Sequence, residues 1–147
     1  MRVQAEPFDV AAEFAAMSAP GVGGIGSFVG VVRGGGDLVA LELEHYPGMT
    51  ERQLLAVAAE AERRWALLAC TVVHRVGRMA VGEGVVLVLA AAPHRRAALD
   101  ATAYLIDWLK TRAPFWKREW LADGTGHWVD ARETDDAAAA RWDLTDA

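Results

Sequence analysis

Apolar positions along this chain recur at two spacings, and the switches between them mark out the elements. Residues 27–33 (SFVGVVR) form an apolar run bounded by glycines, the pattern of a buried strand. Residues 39–45 (VALELEH) alternate with period two, as a half-buried strand does. The Gly34-Gly-Gly-Asp37 turn between them predicts a hairpin. Leu54, Val57, Ala58, Ala61 and Trp65 then follow at helical spacing, behind a capping box read from Thr50 and Gln53. Aliphatic and β-branched runs at 70–76 and 85–92 predict two more strands. A long helix is expected over 95–110, with Leu99, Ala103, Ile106 and Leu109 near its buried face. Pro114 disfavours helix at Ala113, so that helix should stop near Thr111.

Shorter signals fill the ends. Residues 2–6 read as a strand, and Asp9 as the cap of a helix over 10–17. Residues 115–120 and 127–129 read as a last hairpin, and Thr134 as the cap of a short helix ending near Trp142. Interleaved helices and strands joined by short turns predict an α+β sandwich with mixed or antiparallel sheets. Without repeats or long linkers, residues 1–147 are expected to form a single domain.

Charge narrows the functional classes. The formal net charge is −5, so the surface as a whole does not attract nucleic acid, and any anion site must be a local cluster of cations. Cys70 is the only cysteine, which excludes an internal disulfide framework and a cysteine-rich metal site. No HExxH pair or other zinc spacing links His45, His94 and His127. The N-terminus lacks the apolar core of a secretory signal and no apolar run is long enough to span a bilayer, so a cytoplasmic location is expected.

The clusters that could carry chemistry are few. Gly21-Val-Gly23-Gly-Ile-Gly26 matches GxGxxG, but a dinucleotide fingerprint needs a strand before it and a helix within it. Here a proline-containing loop precedes it and an apolar strand follows, which argues against NAD or FAD. Arg33 ends an apolar strand, either as a solvated charge or as a rigidly mounted guanidinium suited to a phosphate. His94, Arg95 and Arg96 open a helix, where the free N–H groups and the dipole favour anions and cations do not help the helix. His74 and Cys70 lie in strands and read as structural, and Glu42 and Glu44 as solvated.

The stretch 109–119, LKTRAPFWKRE, is the most informative. It holds both lysines of the chain, Lys110 and Lys117, while the other thirteen basic residues are arginines. Lys110 falls in a last helical turn, where any cation complements the dipole, and Lys117 in a strand sharing a face with Phe115 and Glu119. Arginine would serve a purely structural need at either place. Lysine differs in that it can lose its proton, and clustered cations and burial make that easier. Coding bias can explain why lysine is scarce, but not which positions keep it.

Six stretches carry a resemblance to a known family: FVGVVR (28–33), LEHYPGM (43–49), VVHRVG (72–77), the HRR run at 94–96, DWLKTRAPFWKRE (107–119) and WVDARE (128–133). In this order, through nearly the whole chain, they resemble the large, catalytic subunit of molybdopterin synthase. The resemblance implies an α/β hammerhead-type fold with an additional antiparallel β-sheet. It also implies a homodimer flanked by two small ubiquitin-like subunits, together a heterotetramer, with no membrane or nucleic-acid partner.

The implied reaction moves sulfur from the Gly-Gly thiocarboxylate tail of the small subunit to cyclic pyranopterin monophosphate. It forms the dithiolene of molybdopterin, with no permanently bound cofactor and no metal. Lys110 and Lys117 are the implied catalytic residues. Val31, Val32, Arg33, His94, Arg95, Arg118 and Glu119 join them in substrate binding, and Phe28 and Arg132 are possible pocket residues. The compact GGGD loop after Arg33 departs from relatives with a longer polar segment. The rival expectation is a non-catalytic adaptor that holds a ubiquitin-like tail in a basic groove. It needs the cations but not lysine.

Overall fold

The structure, a computed structural model, describes residues 1–129 and 133–144. Its elements in chain order are β1 (Arg2–Gln4), α1 (Val10–Ala15), β2 (Gly24–Val31), β3 (Leu38–His45), α2 (Met49–Trp65) and β4 (Ala69–Arg75). There follow β5 (Gly77–Ala80), β6 (Gly84–Ala92), α3 (Arg95–Thr111), β7 (Phe115–Leu121), β8 (Gly126–Val129) and α4 (Glu133–Leu144). They make an α+β fold with two four-stranded sheets, in the orders β1-β4-β6-β2 and β5-β3-β7-β8. In the first sheet β1 and β4 are parallel and the other pairs antiparallel, while the second sheet is antiparallel throughout.

Strand β6 explains the layering. Val86 and Val88 face one way, into a core with Leu54, Val57, Ala61, Val72, Leu105 and Leu109 from α2, β4 and α3. Leu87, Leu89 and Ala91 face the other way, onto Met17 and Val73. Apolar side chains on both faces are what a central strand covered on two sides requires. A third, smaller core of Val32, Leu43 and Met79 joins the two sheets.

The expected hairpin of residues 27–33 with 39–45 does not form. β2 pairs with β6 along its whole length and β3 pairs with β5 and β7. The reason is a distant partner: Val32 gives its N–H to the Glu83 carbonyl and takes the Gly82 N–H on its own. The chain therefore stays bound to the first sheet to its end and crosses to the second through the Gly34–Asp37 turn. Strand β5, absent from the sequence reading, arises from a second crossing at Gly77, whose φ of +87° a side chain would resist.

Helix α2 is capped differently from the expectation. The Glu51 carboxylate, not Gln53, accepts the Gly48 N–H at 2.5 Å. Helix α1 is capped as read, with Asp9 accepting the Ala12 N–H.

Helix α3 buries Ala98, Ala101, Thr102, Leu105 and Leu109, while Leu99 is 61% exposed, so the buried stripe is rotated from the predicted one. The cause is close approach to β2. A Cβ placed on Gly26 would lie 2.3 Å from the Thr102 Oγ1 and 2.4 Å from the Ala98 carbonyl. Small residues on the helix meet glycines on the strand. The GxGxxG match thus ends inside a strand and serves packing, not a phosphate loop.

Gly26→Ala should accordingly push α3 off the sheet and cost about 1–3 kcal/mol. A urea titration checks this, and an unchanged midpoint would contradict the packing account.

Candidate functional site

The two lysines are placed by one corner. Lys110 stands in the last turn of α3 and Lys117 in β7, with the chain turning at Ala113-Pro114 between them. The corner is held from below by Thr50, which is fully buried. Its hydroxyl accepts the Tyr46 N–H at 3.0 Å and donates to the Pro114 carbonyl at 3.2 Å. The segments EHYPGM and LKTRAPFWKRE, far apart in sequence, meet here: His45 pairs with Phe115 and Leu43 with Lys117 across β3 and β7.

The charges of both lysines act on His74, read from sequence as a structural histidine. Its ring stacks on Phe115 with centroids 3.9 Å apart and planes 19° apart. Its Nδ1 is 2.9 Å from the Arg75 carbonyl. Burial, opposed by that carbonyl bond but aided by the charges of Lys110, Lys117 and His45, pushes its pKa down to about 4. Two ammonium groups from different elements thus act on one neutral ring. Lys110 is exposed and Lys117 half-buried. Glu119 shares the face of Lys117 by strand alternation. His45, opposite Phe115, is paired with Glu51 at 3.1 Å.

Arg33 lies at this end of the molecule, just past β2, and is exposed. The residue before it, Val32, is 1% exposed and packs with Leu43 and Met79, with Phe115 alongside. Because both backbone groups of Val32 are already bonded, its contribution is to anchor Arg33. Val31 and Phe28 are exposed on β2, and a Cβ on Gly30 would meet the Phe28 ring at 3.3 Å.

Arg118 does not join the lysines. It points to the opposite face of β7, between Trp128 (4.2 Å) and Trp120 (5.3 Å). On that face Trp120 donates to Glu42 at 2.9 Å, so Glu42 is not simply solvated. Arg132 lies outside the described residues.

The second cationic group is at the other end of α3. His94 is the extended N-cap residue and makes no side-chain cap bond, and the first turn holds no acidic residue. Gly23, Pro93, His94, Arg95 and Arg96 line an open depression of ≈ 480 Å³. Free helical N–H groups with three cationic or ionisable side chains around them suit a phosphate. From Arg95 to Lys110 along the helix is about 22 Å. One chain therefore does not bring these two groups together.

Cys70 carries none of this chemistry. Burial, reinforced by Glu62, pushes its thiol up to about 12, far from a reactive thiolate. Among the described residues no cluster of His, Cys, Asp and Glu could hold a metal, and no helix is long and apolar enough to cross a membrane.

The neutral state of His74 has a measurable cost in acid. A folded pKa near 4 against 6.5 when unfolded means that the unfolded chain binds the extra proton first as pH falls. Stability from this group is complete above pH 6.5 and is lost between 6.5 and about 4. Going from pH 7 to 4.5 should therefore destabilise the parent by roughly 2 kcal/mol more than His74→Phe. Denaturant titrations at the two pH values test it, and equal losses would remove the assignment.

Comparison with known proteins identifies the family and the fold. Residues 3–112 match the family model described as MoaE protein. The molybdopterin synthase catalytic subunit of Mesorhizobium japonicum is 53% identical over 97% of this chain and 92% of its own. The structure of the molybdopterin biosynthesis MoaE protein from Burkholderia ambifaria superposes with a TM-score of 0.80, at 50% identity and 96% coverage of both chains. That of molybdopterin synthase from Staphylococcus aureus superposes with a TM-score of 0.81, at 29% identity over 87% of this chain and 95% of that one. Matched across most of its length in sequence and in fold, this chain belongs to the MoaE family.

Proposed function

We propose that the chain is the catalytic subunit of a molybdopterin synthase. It moves sulfur from the C-terminal thiocarboxylate of a small ubiquitin-like subunit onto cyclic pyranopterin monophosphate and so builds the dithiolene of molybdopterin. The observation that carries the reading is that the charges of Lys110 and Lys117, from the two elements joined at the Pro114 corner, both act on His74, in a chain whose relatives are named for this synthase.

The roles follow from charge and exposure. Lys110, exposed at a helix end, is placed to exchange protons as the cyclic phosphate opens and sulfur adds. Lys117, half-buried and fixed on a strand, stabilises negative charge developing on the pterin or the tail. Glu119, on the same face, helps orient the substrate. Sulfur arrives on the partner, so no cysteine nucleophile is needed.

His94 and Arg95 hold the phosphate, but a second copy of the chain has to supply them. β2 is an edge strand of the first sheet, and its free edge carries the exposed Phe28, Val29 and Val31. His94 and Arg95 flank the start of β2, where Gly24 packs on Arg95, and Arg33 follows its end. Antiparallel pairing of two such edges about a two-fold axis sets Arg33 of one copy beside His94 and Arg95 of the other. It thus completes two sites and covers the edge at once.

Two experiments test the reading. With thiocarboxylated small subunit and the cyclic pterin, Lys110→Arg should lower turnover about 100-fold or more, since it keeps charge but cannot release a proton. Normal turnover in that variant would favour a tail-binding adaptor, and no dithiolene from the parent would reject the synthase reading. Mixing inactive Lys110→Ala with inactive Arg95→Ala, after subunit exchange, should restore roughly a quarter of parental activity, because half the dimers then hold one intact site. No recovery would place both residues in one protomer's site.

A further inference from the structure

Sulfur transfer as described gives no task to the side chain of Arg75, the arginine of VVHRVG. That side chain is buried, 7% exposed. Its Nε and Nη2 both donate to the Ala5 carbonyl, at 3.1 and 2.9 Å. Its Nη1 donates to the Gly84 carbonyl at 3.1 Å and to Glu83 Oε1 at 3.2 Å. The other carboxylate oxygen of Glu83 accepts the Ala80 N–H at 2.5 Å. A buried guanidinium needs its donors satisfied and its charge balanced, and Glu83 supplies the opposite charge. Residues 81–83 link β5 in the second sheet to β6 in the first. The link is thus pinned at both of its ends, Ala80 and Gly84.

The same link brackets Val32. Val32 donates its N–H to the Glu83 carbonyl at 2.9 Å, and its carbonyl accepts the Gly82 N–H at 2.8 Å. The packed side chain of Val32 holds the strand end in the third core, and these two bonds hold its direction. Arg33 is the next residue and is exposed. After it come Gly34, Gly35 and Gly36, and a Cβ on Gly35 or Gly36 would meet nothing within 4 Å. Glycines without neighbours restrain the chain little, so the place of Arg33 is set from the Val32 side.

We propose that Arg75 and Glu83 are positioning residues for Arg33: they pin the turn whose backbone brackets Val32, and so fix the root from which the Arg33 guanidinium reaches the substrate phosphate. The bracket is a chain of hydrogen bonds, and its consequence for the phosphate rests on the sulfur-transfer reading above. A long arginine side chain on a fixed root has less freedom to lose on binding than one on a frayed strand end. Neither Arg75 nor Glu83 has to touch the substrate for this.

The test uses the full chain assembled with its thiocarboxylated small subunit. Glu83→Gln keeps the shape but offers one acceptor oxygen where two are used, and removes the charge that balances Arg75. It should raise the KM for the cyclic pterin about fivefold or more, with kcat changed less than about twofold. In an Arg33→Ala background the same change should move KM less than about twofold, because its effect passes through Arg33. A loss of general stability would act equally in both backgrounds. Nitrogen-15 relaxation of the parent, which needs no variant to fold and no activity, should give the Arg33 amide an order parameter of about 0.85. A parental KM in Glu83→Gln, an equal rise in both backgrounds, or an Arg33 order parameter below about 0.6 in the parent would each overturn the proposal. A parent that makes no dithiolene fails the synthase reading instead, and the relaxation measurement then decides on the bracket alone.

Discussion

The Thr50 hydroxyl is the joint on which the site depends. It is buried, and it joins the Tyr46 amide before α2 to the Pro114 carbonyl after α3. Proline has already removed one donor at this corner and forbids helix before it. What remains is a carbonyl that needs a partner in a dry place, and Thr50 supplies it. Losing such a bond leaves a buried acceptor unsatisfied, worth about 1–3 kcal/mol. The corner also decides how α3 enters β7, and therefore how far Lys110 stands from Lys117. A small defect here would change the lysine geometry before it changed the fold.

Electrostatics gives the same site its direction. The chain carries a net charge of −5, yet Arg95 and Arg96 stand at one end of α3 and Lys110 and Arg112 at the other. At the C-terminal end Lys110 complements the helix dipole, so it costs the fold little. At the N-terminal end Arg95 and Arg96 oppose it, without an acidic side chain in the first turn to offset them. An arrangement that disfavours the empty protein is balanced once an anion binds. The helix is too long to let both ends serve one ligand within one chain, which is why the proposed reading calls on two copies.

Sequence patterns were most readable where local rules decide. The Asp9 cap, the stop of α3 before Pro114 and the shared face of Phe115, Lys117 and Glu119 all depend on neighbours in the chain. The hairpin of residues 27–33 with 39–45 failed because strand pairing is not local: Val32 spends its backbone bonds on residues 82 and 83. The buried stripe of α3 failed for a related reason. Only the contact with Gly26 reveals that small residues, not Leu99, belong underneath. In the site, the lysines could be picked out by their rarity. His74 could not, because nothing in VVHRVG says that Phe115 will stack on it.

Arg118 shows why adjacency in sequence is a poor guide to adjacency in a site. It neighbours Lys117, and a run of two cations reads naturally as one patch. Strand alternation sends the two side chains to opposite faces. One meets the charges around His74, and the other lies between two indole rings. A guanidinium stacks on aromatic faces better than an ammonium does, so arginine suits that outer place. An ammonium is a compact, titratable charge, so lysine suits the inner one. The residue types on the two faces of β7 are therefore not interchangeable. On the sulfur-transfer reading proposed above, the rarity of lysine in this chain becomes intelligible: it stands where a compact, titratable charge serves the substrate, and arginine where a cation has only to stay.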